Sequence, residues 1–251
     1  MRKLFLLCSM CLALFSLPLQ AQENEFGYFN SLSIGASIGT TGWGIDVATP
    51  LGNHFALRAG FTIMPNISYS DNVDVSINYT SSYLPEGKIP ASIKVEGSMG
   101  RTAGEILLNY YPFKRSSFFL TGGAVFGGDK LIKVKGHSPE LAQYQELAGK
   151  AGIEIGDYTI PVDPNGNVSG GIKVSSFRPY LGLGFGRIVP KSKRLGFLFE
   201  LGVQIHGRPE VYTDYGNIGE LMKKANNDFS EILDKVTLYP VLRFRLCGKI
   251  F

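Results

Sequence analysis

The sequence predicts an all-β chain, an eight-stranded antiparallel transmembrane up-and-down β-barrel with short periplasmic turns and long extracellular loops. Three observations carry that expectation. Apolar residues alternate with small or charged ones at period two in eight segments of about ten residues, the length of a tilted membrane strand. After Ala21 no run approaches the ~18 apolar residues of a membrane helix, so only a closed barrel could span a bilayer. Glycine, tyrosine and phenylalanine number 31, 12 and 17 while charged residues make up 18%, a mix suited to strands and interfacial aromatics.

The first segment sets Leu32, Ile34, Ala36 and Ile38 against Ser31, Ser33, Gly35, Ser37 and Gly39. The second alternates Trp43, Ile45 and Val47 with Gly44, Asp46 and Ala48, and the third Phe55, Leu57, Ala59, Phe61 and Ile63 with Ala56, Arg58, Gly60, Thr62 and Met64. The fourth, from about Arg101 to Tyr111, puts Ile106, Leu108 and Tyr110 on one face and Glu105, Leu107 and Asn109 on the other. Segment five opposes Leu120, Gly122, Ala124 and Phe126 to Thr121, Gly123, Val125 and Gly127; segment six opposes Leu181, Leu183 and Phe185 to Gly182, Gly184 and Gly186. The seventh carries Leu195, Phe197, Phe199, Leu201, Val203 and Ile205 outside and Glu200, Gln204 and His206 inside; the eighth sets Leu242, Phe244 and Leu246 against Arg243 and Arg245.

The joins alternate in length. Those after segments two, four and six are short, Leu51 to His54, Pro112 to Ser117 and Val189 to Arg194, and the first is a tight Thr40, Thr41, Gly42. Those after three, five and seven are long, about Asp71 to Gly100, Lys130 to Val174 and Gly207 to Lys235. In outer-membrane barrels the short turns are periplasmic and the long loops extracellular, which puts both termini in the periplasm. A soluble eight-stranded lipocalin-type barrel would turn its apolar faces inward. The Gly, Ser and charged faces here could not form such an oily interior.

Arg2 and Lys3 followed by the uncharged run Leu4–Leu19 and a small Ala21 read as a secretory signal peptide, residues 1–21, leaving 22–251 as one barrel domain. Cys8 and Cys11 leave with that peptide, so Cys247 stands alone and no intramolecular disulfide can form. The formal net charge of +4 over the whole chain falls by two with Arg2 and Lys3, and no Lys/Arg block is long enough to follow a nucleic-acid backbone. Nucleic acid is not an expected partner, and location in the cell outer membrane of a Gram-negative bacterium is.

Asp46, Arg58, Glu105, Glu200, Arg243 and Arg245 all fall on inner faces, where charges in a narrow barrel must be paired or hydrated. An ion-pair network across the lumen is expected, and eight strands leave only room enough for side chains, which argues against an open pore. Trp43, Tyr110, Tyr111 and Tyr180 are expected at the membrane interfaces. Gly35, Ser37 and Gly39 match a nucleophile elbow, but a turn and a second strand follow instead of the helix that motif needs. His54, His137 and His206 are far apart, with no metal-ligand spacing, and neither metal nor cofactor is expected. The leading expectation is a non-enzymatic barrel. A small solute or ion channel is one alternative; an outer-membrane lipid-modifying enzyme, with His206 or His137 as base, is another.

Several motifs together are recognisable: Asn109, Tyr110, Tyr111, Pro112 and Phe113 followed by Phe118 to Gly123; Arg178, Pro179 and Tyr180 through Gly186; and Leu238, Tyr239, Pro240, Val241 and Leu242 before the terminal Phe251. The mature chain resembles the porin-like outer-membrane β-barrel family of Bacteroidetes-type bacteria, small eight-stranded OmpA/OmpX-like barrels. The resemblance implies architecture and location rather than activity. Phe251 is then the signal read by the barrel assembly machinery; because Leu242, Phe244 and Leu246 are out of phase with it, a bulge near Gly248 is expected if both face lipid. Outer-membrane lipid, lipopolysaccharide and a surface partner reached through the loops complete the expected contacts.

Within the loops, Ser138, Pro139 and Glu140 open a stretch to Gly149 with an N-cap, a first-turn proline and a closing glycine, predicting a short helix. Asp163, Pro164, Asn165 and Gly166 between Ile160 and Val168 predict a small hairpin leading into the sixth strand. Ile218, Leu221, Met222, Ala225, Phe229, Ile232, Leu233 and Val236 lie at helical spacing, an amphipathic segment 218–236 that packs on the rim or meets lipid headgroups.

Overall fold

The computed structural model describes residues 26–77, 92–143, 151–155, 158–191, 193–216 and 235–250. Residues 1–25, which include the expected signal peptide, the expected amphipathic segment up to residue 234 and Phe251 therefore lie outside the described residues. Eight antiparallel strands close into a barrel: β1 (Ser33–Gly39), β2 (Gly42–Leu51), β3 (Phe55–Met64), β6 (Arg101–Tyr110), β7 (Phe118–Phe126), β12 (Phe177–Phe185), β13 (Leu195–Ile205) and β15 (Leu238–Lys249). Around the wall they run β1, β15, β13, β12, β7, β6, β3, β2, and β1 closes the barrel against β15 from Ser33↔Lys249 to Gly39↔Arg243. Each is a segment predicted from the alternation.

Closure leaves no barrel edge, so every wall strand has a partner on both sides. The outer wall is predominantly apolar: Ile45, Phe61, Leu183, Phe197 and Leu246 are all exposed, while Asp46, Arg58, Glu105, Glu200, Arg243 and Arg245 are buried inside. That distribution inverts a water-soluble protein and matches a hydrocarbon environment. The tight β1–β2 hairpin depends on Gly42, whose φ of +94° disfavours other residues and where a Cβ would sit 2.2 Å from the Ile63 carbonyl oxygen. β15 passes Gly248 in unbroken register with both β1 and β13, so the expected bulge there is not formed.

The three long joins are not plain loops, as the alternation in the wall had suggested. They build a second, seven-stranded sheet in the order β10 (Tyr158–Pro161), β9 (Ala151–Ile155), β4 (Ser68–Ile77), β5 (Ser92–Ser98), β8 (Lys130–His137), β11 (Asn167–Lys173), β14 (Glu210–Thr213). The first join supplies β4 and β5, the second β8, β9, β10 and β11, and the third β14. One face of this loop sheet has its own core of Ile93, Val95, Val134, Leu141, Ile153, Ile160, Val162 and Val168.

The predicted helix begins as α1 (Pro139–Ala142), capped by Ser138, whose Oγ accepts from the Leu141 amide, and Leu141 drives it into that core. Residues 144–150 lie outside the described residues. The predicted turn at residues 163–166 is present, with Asp163 Oδ1 accepting from the amides of Asn165 and Asn167. Its flanks meet only at Val162↔Val168, however, because β11 takes β8 and β14 as its ladder partners. The expected hairpin is thus a corner within a larger sheet.

Candidate functional site

Sequence parity places a side chain on the inner face, and barrel closure decides what it meets there. β3 and β13 stand on opposite walls, as do β6 and β15. Arg58 on β3 reaches across the bore to Glu200 on β13, its Nη2 donating to Oε1 at 3.1 Å and Oε2 at 2.9 Å. Arg243 on β15 crosses the other way to Glu105 on β6 with a bidentate pair at 2.9 and 2.6 Å. The two braces meet where Arg243 Nη1 lies 3.8 Å from Glu200 Oε1. A third pair joins Arg245 Nε to both oxygens of Asp46 at 3.0 and 2.9 Å.

Three guanidinium groups thus face three carboxylates, and all six residues are at most 5% exposed. Formal charge cancels inside the bore, which is the condition for keeping such groups out of water. The strand beside Arg245 and the strand beside Tyr180 are each cut back to glycine to make room. At Gly35 an added Cβ would fall 2.2 Å from Arg245 Nε, and at Gly202 it would fall 2.2 Å from the Tyr180 hydroxyl.

Two of the four expected interfacial aromatics are elsewhere. Tyr180 is 1% exposed and stands in the lumen, its hydroxyl donating to Glu200 Oε1. Its parity with Arg178, Gly182 and Gly184 already faces it inward. Tyr111 lies just past the end of β6 where the chain turns in, buried at the short-turn mouth of the bore against Phe119. Trp43 and Tyr110 do stand on the outer wall, at opposite ends, with Tyr110 stacked on Phe55 at 5.0 Å. Two ring pairs absent from the prediction share those rims, Phe118 with Phe185 at the short-turn end and Phe126 with Phe177 at the other.

The mouth at the short-turn end is sealed by a device that periodicity does not reveal. The turn after β12 folds into the bore, burying Ile188 and Val189 with Phe26, Ala48, Ala56, Tyr111, Phe119 and Leu198. Its backbone is held on both sides: the Ile188 amide donates to the Tyr111 hydroxyl at 2.9 Å, and the Ile188 carbonyl accepts from Ser33 Oγ at 2.8 Å and Arg245 Nη1 at 2.9 Å. Arg187 pins the neighbouring turn by donating to the carbonyls of Lys114 and Ser116. At the long-join end Arg178, also missed as a lumen charge, bonds Gln204, the Ser175 carbonyl and the Gly127 carbonyl. The voids beside Ile188 and beside Arg178 are each about 10 Å³, room for a single water.

Of the candidate bases, His206 is buried at the long-join rim, and His137 Nδ1 is 2.8 Å from Asn167 Oδ1 in the loop sheet. Among the described residues no cluster of three His, Cys, Asp or Glu side chains could hold a metal ion.

The chain is similar to two solved structures from Acinetobacter baumannii. With CarO2 it shares 19% identity at a TM-score of 0.49, over 90% of this chain and 99% of that one. With CarO the values are 17% and 0.46, over 88% and 99%. No protein-family model matches the sequence, and no curated protein does.

Proposed function

We propose that this chain is a non-enzymatic outer-membrane barrel of a Gram-negative bacterium, of the porin-like type its sequence resembles, with a sealed bore and a working surface made by the loop sheet. Export by residues 1–21 and delivery to the barrel assembly machinery through the C-terminal strand belong to this reading. One observation carries it: two ion-pair braces cross the lumen between opposite walls, above a turn that closes the periplasmic mouth. Transport is the purpose such a bore serves least. What remains to act is the sheet built from the three long joins, which meets lipopolysaccharide or a surface partner. A lipid-modifying activity would instead require lipid A acylation to change in His206→Ala or His137→Ala, and none is expected.

The orientation is testable with cysteine labels, because the native Cys247 is buried. Lys94 in the loop sheet and Lys114 in a short turn are both exposed. On intact cells a membrane-impermeant maleimide is expected to label Lys94→Cys and to reach Lys114→Cys only after the outer membrane is permeabilised. Labelling of Lys114→Cys alone on intact cells would invert the barrel and remove the surface role.

A further inference from the structure

The loop sheet has two unlike faces. Its apolar face forms one core with Leu141 of α1, to which Ile153 of β9 and Ile160 of β10 also contribute. Its other face carries Lys94, Glu96 and Ser98 from β5 and Lys133 and Lys135 from β8, with Glu96 directly beside Lys135 and Ser98 beside Lys133. Between this polar face and the barrel rim opens a cleft of about 560 Å³. Its charged lining is Arg101, Lys133 and Lys135 against Glu96, three cations and one carboxylate, a net formal charge of +2.

The cleft floor is organised before any ligand arrives. Asn66 Oδ1 accepts from the Gly100 amide at 3.3 Å, and the Gly100 carbonyl accepts from Lys133 Nζ at 3.1 Å. This chain ties the barrel rim to the loop sheet and fixes one ammonium at the cleft wall with two of its N–H groups still to donate. Arg101 is held over the Tyr239 ring, 5.1 Å from its centroid, which orients the guanidinium without using its donors. Preorganised donors of this kind bind an anion at lower ordering cost than free surface lysines do.

We propose that this cleft binds a phosphate group, resting on the reading of the loop sheet as the working surface. A phosphate monoester carries about −1.5 to −2 at neutral pH and offers three acceptor oxygens, which matches the net charge and the donors of Arg101, Lys133, Lys135 and Ser98. A single carboxylate would leave one positive charge unmatched. The phosphate comes either from a lipid headgroup or from a free phosphorylated solute.

The full-length protein, folded in a neutral detergent, is to be titrated calorimetrically with inorganic phosphate, and separately mixed with neutral vesicles with or without lipid A. The Lys133→Gln/Lys135→Gln variant serves as the comparison, with heat-modifiable gel migration as its folding check. Phosphate binding that weakens roughly tenfold or more in the variant supports the cleft and a free solute. Lipid A-dependent capture, lost in the variant with no binding of inorganic phosphate, supports the cleft and a lipid headgroup. Equal behaviour of variant and wild type, or binding of neither probe, overturns the proposal. That failure would leave maleimide labelling and barrel closure unaffected, so the surface-barrel reading stands or falls separately.

Discussion

Glu200→Ala is expected to destabilise the barrel by ~3–5 kcal/mol, because removing one partner of a buried ion pair leaves the other charge without water or counter-ion. Glu200 is fully buried and receives Arg58, Tyr180 and, at longer range, Arg243. The measurement is urea unfolding from lipid vesicles, compared at constant transition steepness. A second variant separates charge from packing. Arg58→Met with Glu200→Leu removes both members of one brace and leaves Arg243 on Glu105 and Arg245 on Asp46, so it is expected to recover most of the loss. A Glu200→Ala barrel as stable as the wild type would mean that the lumen is hydrated and the braces carry little.

The outer wall makes the opposite demand. Leu183, Leu201 and Leu242 lie side by side across β12, β13 and β15, with Leu201 45% exposed near the middle of its strand. On a water-soluble barrel, arginine at such a position would change stability by no more than about 0.5 kcal/mol. Facing hydrocarbon near the bilayer midplane, Leu201→Arg is expected to cost ~2–4 kcal/mol in the same vesicle assay. A negligible effect there would contradict the membrane-facing assignment of the wall, whatever happens at Glu200.

What could be read from the sequence follows from which physical signals are local. The wall strands announce themselves because alternation is a property of consecutive residues, and even the least regular, β6, keeps Glu105, Leu107 and Asn109 on one face. Parity likewise put Asp46, Arg58, Glu105, Glu200, Arg243 and Arg245 inside. It could not say that Arg58 meets Glu200 and Arg243 meets Glu105, since partners on opposite walls depend on strand order and stagger.

The same parity, applied to Tyr180, already opposed an interfacial position. Within the long joins the signal was present but short: Ile93 and Val95 alternate with Lys94 and Glu96, and Ile132 and Val134 with Lys133 and Lys135. These runs come from two separate joins and pair with each other, a long-range arrangement that no local pattern encodes. The turn carrying Ile188 and Val189 has no periodicity at all, and its role as a stopper exists only once Tyr111, Ser33 and Arg245 surround it.

Closure of the bore is the claim on which the surface role depends, and single-channel recording tests it most directly. The full-length protein is to be refolded into a planar bilayer from vesicles in which its heat-modifiable migration verifies insertion. A silent bilayer is the expected result, because the crossed braces and the inward turn fill the lumen. Discrete, reproducible conductance steps from the wild type would contradict it and return the protein to the channel alternative.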